Sequence, residues 1–91
     1  MITKGQKKGT VKFSVRPPNG ATKVELAGDF NGWKPQPMRK QKNGHFTCVV
    51  PVAPGAHEYK FVLDGQWSVD PDNSSYSLNP YGTLNSVTTV S

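Results

Sequence analysis

Tyr59-Lys60-Phe61-Val62-Leu63-Asp64-Gly65-Gln66-Trp67 is the stretch that decides the fold of this chain of 91 residues. Its apolar residues Tyr59, Phe61 and Leu63 recur at every second position, which is the period of a β-strand with one buried face. The dipeptide Asp64-Gly65 tolerates the positive φ angles of a two-residue hairpin turn. The stretch therefore predicts a β-hairpin that buries one row of side chains and leaves the other row outside.

The two-residue turn also fixes the register of this hairpin. The pairs that follow are Leu63 with Gln66, Val62 with Trp67, Phe61 with Ser68 and Lys60 with Val69. Directly opposed residues lie on the same face of a sheet, so Trp67 is expected outside together with Val62. Lys60 becomes a diagonal neighbour of Trp67 at roughly 7–8 Å, close enough for one ligand to contact both side chains.

The rest of the chain repeats the strand pattern. Short alternating segments bounded by Gly, Pro, Asn and Asp follow one another every ~8–12 residues, and helical periodicity is absent. The clearest apolar rows are Val11, Phe13 and Val15, then Val24 and Leu26, and the last strand is predicted from Ser86 to Val90. The sequence thus predicts an all-β fold, either a sandwich or a barrel.

A second hairpin is predicted at Lys42-Asn43-Gly44, because Asn-Gly also tolerates positive φ. The strands on either side are Met38 to Gln41 and His45 to Val52. A two-residue loop pairs Met38 with Val49, whereas a three-residue loop with a bulge places Met38 across from Cys48 and toward the core. We favour the three-residue loop.

Length and composition fit one folded domain. Hydrophobic residues make up 34% and charged residues 19% of the chain, which is too apolar for disorder, and 91 residues are too few for two domains. We expect a polar N-terminal segment at residues 1–10 and a single domain at residues 11–91. The first residues do not form a signal peptide and no apolar run has the length of a membrane span, so a cytoplasmic protein without a membrane partner is expected.

One cysteine and a formal net charge of +5 set limits on the chemistry. Cys48 cannot form an intrachain disulfide, which indicates a reducing compartment, and its step with Phe46 and Val50 predicts a core residue rather than a nucleophile. The cations form no long run and no helix accompanies them, so solubility and edge protection explain the charge better than nucleic acid does. Neither a cofactor nor a metal site is predicted.

Two loops hold the candidate binding residues. The glycines and proline of Gly28 to Pro35 interrupt a strand, so Trp33 is expected on a loop. The stretch Asp70 to Asn85 is predicted as a long irregular connection, which in a small domain is usually functional. Its last residues, 79–85, offer an aromatic ring, a hydroxyl and a carboxamide. These groups suit a neutral polyol, because a sugar ring has an apolar C–H face and a rim of hydroxyls.

Each candidate also has an ordinary structural explanation. Trp33 fits a buried structural role equally well. Trp67 can dock on a partner domain instead of a ligand. Lys60 by itself is a solvated lysine, while Thr83 and Asn85 can hold a turn through local hydrogen bonds to the backbone.

Four stretches of the sequence, taken together and in this order, resemble carbohydrate-binding module family 48. They are Val24 to Trp33, Pro54 to Trp67, Asp70-Pro71 and Tyr81 to Asn85. The resemblance covers the chain from about Val11 to Val90. Members of the family include the glycogen-binding domain of AMP-activated protein kinase and the N-terminal modules of isoamylases and glycogen branching enzymes. The resemblance implies an immunoglobulin-like, early-set β-sandwich.

The resemblance also implies a binding site for α-1,4-glucan, such as glycogen, starch or maltooligosaccharides. In kinase-type members the site contains two tryptophans, a lysine and an asparagine, which align with Trp33, Trp67, Lys60 and Asn85. Thr83 aligns with a hydroxyl residue of the same site. Tyr81 stands where those members carry a leucine that projects through the bend of the glucan. It either replaces the leucine as a stacking platform or changes the preference for linear, branched or cyclic chains.

Four functions compete on this basis. The leading one is non-catalytic glucan binding, and the alternative is a protein-interaction module that docks on an amylolytic enzyme or a kinase-type regulatory partner. An enzyme is disfavoured because the aspartates stand in turn contexts and no carboxyl pair of the glycosidase type is found. Nucleic-acid binding rests on the net charge alone and predicts a steep salt dependence.

Overall fold

The apolar residues that recur at every second position form the inner faces of two antiparallel β-sheets. A computed structural model of the chain describes residues 2–18 and 20–91. Within these ranges ten strands occur in the order β1 (Ile2–Lys4), β2 (Thr10–Val15), β3 (Val24–Gly28), β4 (Gln36–Pro37), β5 (Arg39–Lys40), β6 (Phe46–Pro51), β7 (Gly55–Leu63), β8 (Gln66–Ser68), β9 (Tyr76–Leu78) and β10 (Leu84–Val90). A short 3-10 helix, Asp29–Asn31, follows β3.

The four-stranded sheet has the order β1-β2-β6-β5, and the six-stranded sheet has the order β4-β3-β7-β10-β9 with β8 paired to β7. Both the predicted all-β class and the immunoglobulin-like, early-set sandwich are confirmed. Residues 2–4, which lie in the segment predicted to precede the domain, pair with β2 and extend the four-stranded sheet, while position 1 lies outside the described residues.

Aromatic side chains join the two sheets across the core. Phe13 of β2 contacts Tyr59 of β7 edge to face, with ring centroids 5.2 Å apart, and Tyr59 contacts Phe61 at 5.8 Å. The predicted apolar rows surround these rings and are buried, namely Val11, Val15, Val24 and Leu26. Burying one such side chain contributes about 1.5–3 kcal/mol, so these rows provide the main stabilisation of the sandwich.

The β7–β8 hairpin has the register predicted from its turn. The observed pairs are Leu63 with Gln66, Val62 with Trp67 and Phe61 with Ser68. Asp64 and Gly65 have φ angles of 49° and 84°, the two left-handed residues that a type I′ turn requires. The predicted fourth pair, Lys60 with Val69, is wrong because β8 ends at Ser68 and the next residues turn inward toward the Tyr59 hydroxyl.

The three-residue loop of the second hairpin is confirmed. Arg39 pairs with Thr47, and the amide of Gln41 donates to the carbonyl of His45 at 2.7 Å, which leaves residues 42–44 as the loop. Met38 is buried, as this register requires.

Cys48 packs against the core, as its position in β6 predicts. It accepts a hydrogen bond from Gln36 Nε2 at 3.3 Å. Burial raises the pKa of its thiol, which keeps the sulfur protonated and is the behaviour of a structural rather than a nucleophilic cysteine.

The connection from Asp70 to Asn85 is less irregular than predicted. Its residues Tyr76–Leu78 form β9, which pairs with the first part of β10, and β10 begins at Leu84 rather than at Ser86. The three residues of β9 are flanked by Ser, Asn and Pro, and three residues are too few for their alternation to be recognised as a strand. Their strand state depends on the partner strand across the loop.

A buried polar cluster holds the first part of this connection. The Tyr59 hydroxyl donates to Asp70 Oδ2 at 2.7 Å, and the Asp70 amide donates to Ser86 Oγ at 2.8 Å. Asn73 Nδ2 donates to the Tyr59 hydroxyl oxygen and to the carbonyl of Val87. Burial is the main cause that raises the pKa of Tyr59, so its hydroxyl stays a donor. Because Asp70 is only 1% exposed, its carboxylate depends on these protein partners.

We expect Tyr59→Phe to lower the free energy of unfolding by about 1–3 kcal/mol, because the buried carboxylate of Asp70 loses its hydroxyl donor. Urea unfolding followed by tryptophan fluorescence measures the change. Tyr76→Phe, the same substitution at an exposed residue, is the matched control and should stay within about 0.5 kcal/mol of the wild type. Equal unfolding midpoints for the two variants would contradict the role given to the cluster.

Candidate functional site

The outer face of the six-stranded sheet bears an open groove of about 560 Å³. It is lined by all six residues predicted from the sequence, namely Trp33, Lys60, Trp67, Tyr81, Thr83 and Asn85. They come from the loop after β3, the β7–β8 hairpin, and the β9–β10 loop with the start of β10. The groove also contains five residues that were not among the six predicted site residues, namely Asp29, Glu58, Leu78, Asn79 and Pro80.

The β7–β8 hairpin supplies one wall of the groove. Trp67 is 49% exposed, which confirms its predicted outward direction. Its cross-strand partner Val62 points the same way but is only 3% exposed, because it lies between Trp67 and Glu25 of β3. Lys60 Nζ donates to Thr83 Oγ1 at 3.1 Å, so this lysine belongs to the groove wall and is not simply solvated.

Trp33 lies on a tight turn, as predicted, and is half-buried. Gly32 and Trp33 have φ angles of 68° and 60°, and this left-handed conformation is strained for a bulky residue. The Trp33 amide donates to the Gly28 carbonyl at 2.9 Å. Asn31 Oδ1 accepts from the Gly28 amide, and its Nδ2 donates to the Leu26 carbonyl. These bonds hold the turn closed and fix the backbone position of Trp33.

Phe30 and Asp29 attach this turn to the rest of the domain. Phe30 packs against the core, and its ring lies 2.5 Å from where a Cβ at Gly28 would sit, so a side chain at position 28 would displace the ring. Asp29 Oδ2 accepts from the Glu58 amide at 2.9 Å, and Asp29 Oδ1 lies 2.7 Å from His57 Nδ1. The turn that carries Trp33 is therefore tied directly to β7.

Asn79 organises the loop between β9 and β10. Its Oδ1 accepts from the amides of Tyr81 and Thr83 at 3.0 and 3.1 Å. Because these main-chain donors hold the oxygen, the side-chain nitrogen faces the other way. It donates to Thr83 Oγ1 at 2.6 Å and to Asn85 Oδ1 at 3.1 Å. The backbone therefore fixes which end of the Asn79 amide points into the groove.

The same hydrogen bonds fix the polarity of the neighbouring groups. Asn85 Oδ1 accepts a hydrogen bond from Asn79 Nδ2, and Asn85 Nδ2 donates to Glu58 Oε1 at 3.0 Å. Thr83 Oγ1 accepts from both Lys60 and Asn79, which occupies its two lone pairs and leaves its O–H as a donor. Lys60, Thr83 and Asn85 thus keep donor hydrogens on the polar side of the groove, next to the carboxylates of Asp29 and Glu58.

The two ends of this network differ in exposure. Tyr81 is 90% exposed at the tip of the loop, whereas Asn85 is only 6% exposed. The hydrogen bonds of the Thr83 and Asn85 side chains run to other side chains, and Asn79 rather than these two residues bonds the loop backbone, so the structural explanation considered for them is wrong. Asn79 had a signal in the sequence, since Asn-Pro followed by Gly is typical of a turn in which the Asn side chain caps the backbone.

Among residues 2–18 and 20–91, no three His, Cys, Asp or Glu side chains converge as they would to bind a metal. The same residues include no helix with the length and apolar composition needed to cross a membrane.

His57 lies behind the groove between two hydrogen-bond acceptors. Its Nδ1 is 2.7 Å from Asp29 Oδ1 and its Nε2 is 2.7 Å from the Ala53 carbonyl. Only the protonated imidazole can donate to both at once. The hydrogen bond to Asp29 is the main cause that raises the pKa of His57, and burial acts in the opposite direction.

We expect this contact to make stability depend on pH. Since the folded pKa of His57 lies above its unfolded value of about 6.5, the contribution is complete below that pH and is lost as pH rises through the folded pKa. Urea unfolding from mildly acidic to mildly alkaline pH should therefore show a steeper loss of stability for the wild type than for His57→Gln. Parallel profiles, or an imidazole that titrates in NMR at its unfolded midpoint, would argue against the contact.

Sequence comparison finds relatives that share part of their length with this chain. It is 49% identical over 55 residues to Protein PTST homolog 2, chloroplastic, of Arabidopsis thaliana, which covers 59% of this chain and 10% of that protein. It is 35% identical over 71 residues to 5'-AMP-activated protein kinase subunit beta-1 of Sus scrofa, which covers 78% of this chain and 57% of that sequence. For the human subunit the identity is again 35%, with 26% of the subunit covered. The chain thus spans little more than half of these relatives at most.

Two solved structures contain the same fold. A maltogenic amylase from S. marinus superposes with a TM-score of 0.74 at 25% identity, over 90% of this chain and 13% of the amylase chain. A putative alpha amylase from Salmonella typhimurium gives a TM-score of 0.69 at 29% identity, over 96% of this chain and 14% of that one. In both enzymes the fold is a small part of the whole chain.

A protein family described as the glycogen recognition site of AMP-activated protein kinase matches residues 11–91. The match includes all three parts of the chain that line the groove. The chain therefore belongs to this family of glycogen-recognition domains.

Proposed function

We propose that the domain binds α-1,4-glucan chains, such as glycogen, starch or maltooligosaccharides, without catalysing their reaction. The observation that carries the proposal is one open groove lined by two indoles, a phenol ring and a network of oriented hydrogen-bond donors. A neutral pyranose needs these two kinds of partner, a flat ring for its C–H face and polar groups for its hydroxyls. Membership of a glycogen-recognition family supports the same ligand class.

The three rings are suited to different contacts. Trp33 is half-buried on a closed turn and Trp67 is 49% exposed on the outer face, so both indoles present surface to the groove. We infer that glucose units stack on these two rings. Tyr81 projects almost fully into solvent, so it supplies a third ring that the bend of a glucan chain can cover. It would thus replace the leucine of kinase-type members as a platform.

Hydrogen bonds from Thr83, Lys60 and Asn85 would orient the sugar. Thr83 offers its O–H, and Lys60 retains two N–H groups beyond the one bonded to Thr83. Asn85 is more deeply placed and offers its second amide hydrogen. An open site of this size is expected to bind with roughly −4 to −8 kcal/mol, that is, micromolar to millimolar dissociation constants.

The carboxylates of the groove favour binding over hydrolysis. Asp29 is bonded to His57 and to the Glu58 amide, and Glu58 accepts from Asn85. Glycoside hydrolysis needs one carboxyl group that protonates the leaving oxygen and a second that attacks or activates water. Both groups here are engaged in holding the groove together.

The relatives suggest a larger setting for the domain. One is named as a subunit of a protein kinase, and the fold forms a small part of two amylases. We therefore propose a kinase-type subunit or a glycan-active enzyme as partner. The lone cysteine fits a reducing compartment such as the cytoplasm, while the Arabidopsis relative is described as chloroplastic, which makes a plastid the second candidate.

We expect Trp67→Ala and Trp33→Ala each to weaken maltoheptaose binding about tenfold or more, because each removes a stacking surface worth at least 1.4 kcal/mol. Isothermal titration calorimetry and affinity electrophoresis on glycogen measure the loss. Tyr76→Ala is the matched control, since Tyr76 is 47% exposed but lies outside the groove. Wild-type affinity in both tryptophan variants would refute the proposed site, and loss of glycogen binding at moderate salt would instead indicate ionic binding.

We expect Asn79→Asp to weaken maltoheptaose binding by roughly tenfold, or 1.4 kcal/mol. The carboxylate keeps the acceptor for the amides of Tyr81 and Thr83 but places a second acceptor against Thr83 Oγ1 and Asn85 Oδ1. The Thr83 hydroxyl would then turn toward this carboxylate and no longer donate to the ligand. Asn43→Asp is the matched control, because Asn43 Oδ1 also accepts a backbone amide, far from the groove. Unchanged affinity in Asn79→Asp would show that the orientation of these groups is unimportant.

A further inference from the structure

The charged side chains are divided unevenly between the two sheets. The four-stranded sheet and its turns carry eight cations, namely Lys4, Lys7, Lys8, Lys12, Arg16, Arg39, Lys40 and Lys42. All six acidic residues lie on strands or connections of the six-stranded sheet, namely Glu25, Asp29, Glu58, Asp64, Asp70 and Asp72. In the part of the chain that the structure describes, the four-stranded sheet thus has no acidic residue of its own. The positive net charge of the chain therefore comes from the four-stranded sheet, while the six-stranded sheet carries a small excess of acidic residues.

The outer face of the four-stranded sheet carries one exposed aliphatic side chain flanked by cations. Val49 of β6 is 52% exposed and pairs with Lys12 of β2, while Thr47 pairs with Arg39 of β5. Directly opposed residues share a face, so Lys12, Val49, Thr47 and Arg39 form one surface, which we call the cationic face. Asp70 and Asp72 line one hollow together with Ile2 of this sheet, but Ile2 pairs with the buried Phe13 and belongs to the inner row.

Further cations surround the cationic face on its rim. Lys7 and Lys8 lie on the β1–β2 turn at one end, and Arg16 and Lys42 lie at the other, with Arg16 Nε 4.0 Å from the Cβ position of Gly44 in the β5–β6 loop. Val49 provides an apolar contact point, and the cations around it provide the polar surroundings that protein–protein interfaces usually have. The sign of the rim selects an acidic partner.

The distribution of exposed aromatic residues argues against other anions. Trp67, Tyr76 and Tyr81 all lie on the six-stranded sheet, and Val49 is the one large exposed hydrophobic residue on the four-stranded sheet among the described residues. Single-stranded nucleic acid is held by stacking on aromatic rings, and a membrane surface is held by several large apolar anchors. The cationic face offers neither.

We propose that the cationic face docks an acidic surface of a partner protein while the groove on the opposite sheet stays open for its ligand. The outer faces of the two sheets point in opposite directions, so a partner on the cationic face does not cover the groove. The domain then acts as a bridge between a glucan and an acidic protein. The docking contact itself does not depend on glucan binding.

Fluorescence anisotropy of labelled polyglutamate, a model for an acidic protein segment, tests this proposal at low salt. We expect Lys12→Glu/Arg39→Glu to weaken binding about tenfold or more, because it reverses both charges that flank Val49 on the cationic face. Lys23→Glu/Lys34→Glu, which changes the net charge equally but on the six-stranded side, is the matched control and should lose less than about threefold. Lys12→Gln/Arg39→Gln serves as a milder second variant, and unfolding midpoints verify that all variants fold.

Several outcomes would overturn the proposal. Equal losses in the two reversal variants would show that net charge rather than the cationic face binds polyglutamate. Tighter binding of a DNA oligonucleotide or of phosphatidylserine vesicles, with the same dependence on Lys12 and Arg39, would assign the face to nucleic acid or membrane. Self-association that Lys12→Glu/Arg39→Glu abolishes in sedimentation would assign it to a second copy.

A second measurement separates this proposal from the glucan assignment. Protein retained on glycogen should still bind labelled polyglutamate, and Lys12→Glu/Arg39→Glu should retain its affinity for glycogen. Competition between glycogen and polyglutamate would contradict the bridge. A protein that binds polyglutamate through this face but not glycogen would refute the glucan assignment alone.

Discussion

The alternation of side chains along β7 is the constraint on which the rest of the structure depends. Tyr59 and Phe61 point inward and form the aromatic centre of the core, while Glu58 and Lys60 point outward into the groove. β3 pairs with one edge of β7, and β8 and β10 pair with the other. A slip of one residue in β7 would exchange its two rows and remove core and groove together. The core and the groove are thus built on the two opposite faces of β7.

Hydrogen bonds to the backbone fix the two loops that line the groove. The turn at Trp33 is closed by bonds to Gly28 and Leu26, and the β9–β10 loop is closed around Asn79. Both loops are therefore ordered when the chain folds. Loops that are ordered in the free protein add little conformational entropy loss on binding, so an open groove with few contacts can still be selective.

The sequence predicts most where local rules are sufficient. The register of the β7–β8 hairpin follows from Asp64-Gly65, because the length of a tight turn determines which residues pair. The outward direction of Trp67 follows from that register. The strand β9 escaped prediction because its three residues have no pattern of their own and depend on β10. The contacts of Asn79 with Asn85, and of Asn85 with Glu58, escaped it because they join separate strands and loops at the level of single atoms.

The separation of charge between the sheets makes the domain a permanent electric dipole whose axis runs through the sandwich. A charged body exerts a torque on such a dipole within a Debye length, about 10 Å at 0.1 M salt, before any surfaces touch. Near an acidic surface the molecule rotates until its four-stranded sheet faces that surface. The indoles then face open solvent, and a passing polysaccharide meets a domain that is already correctly oriented.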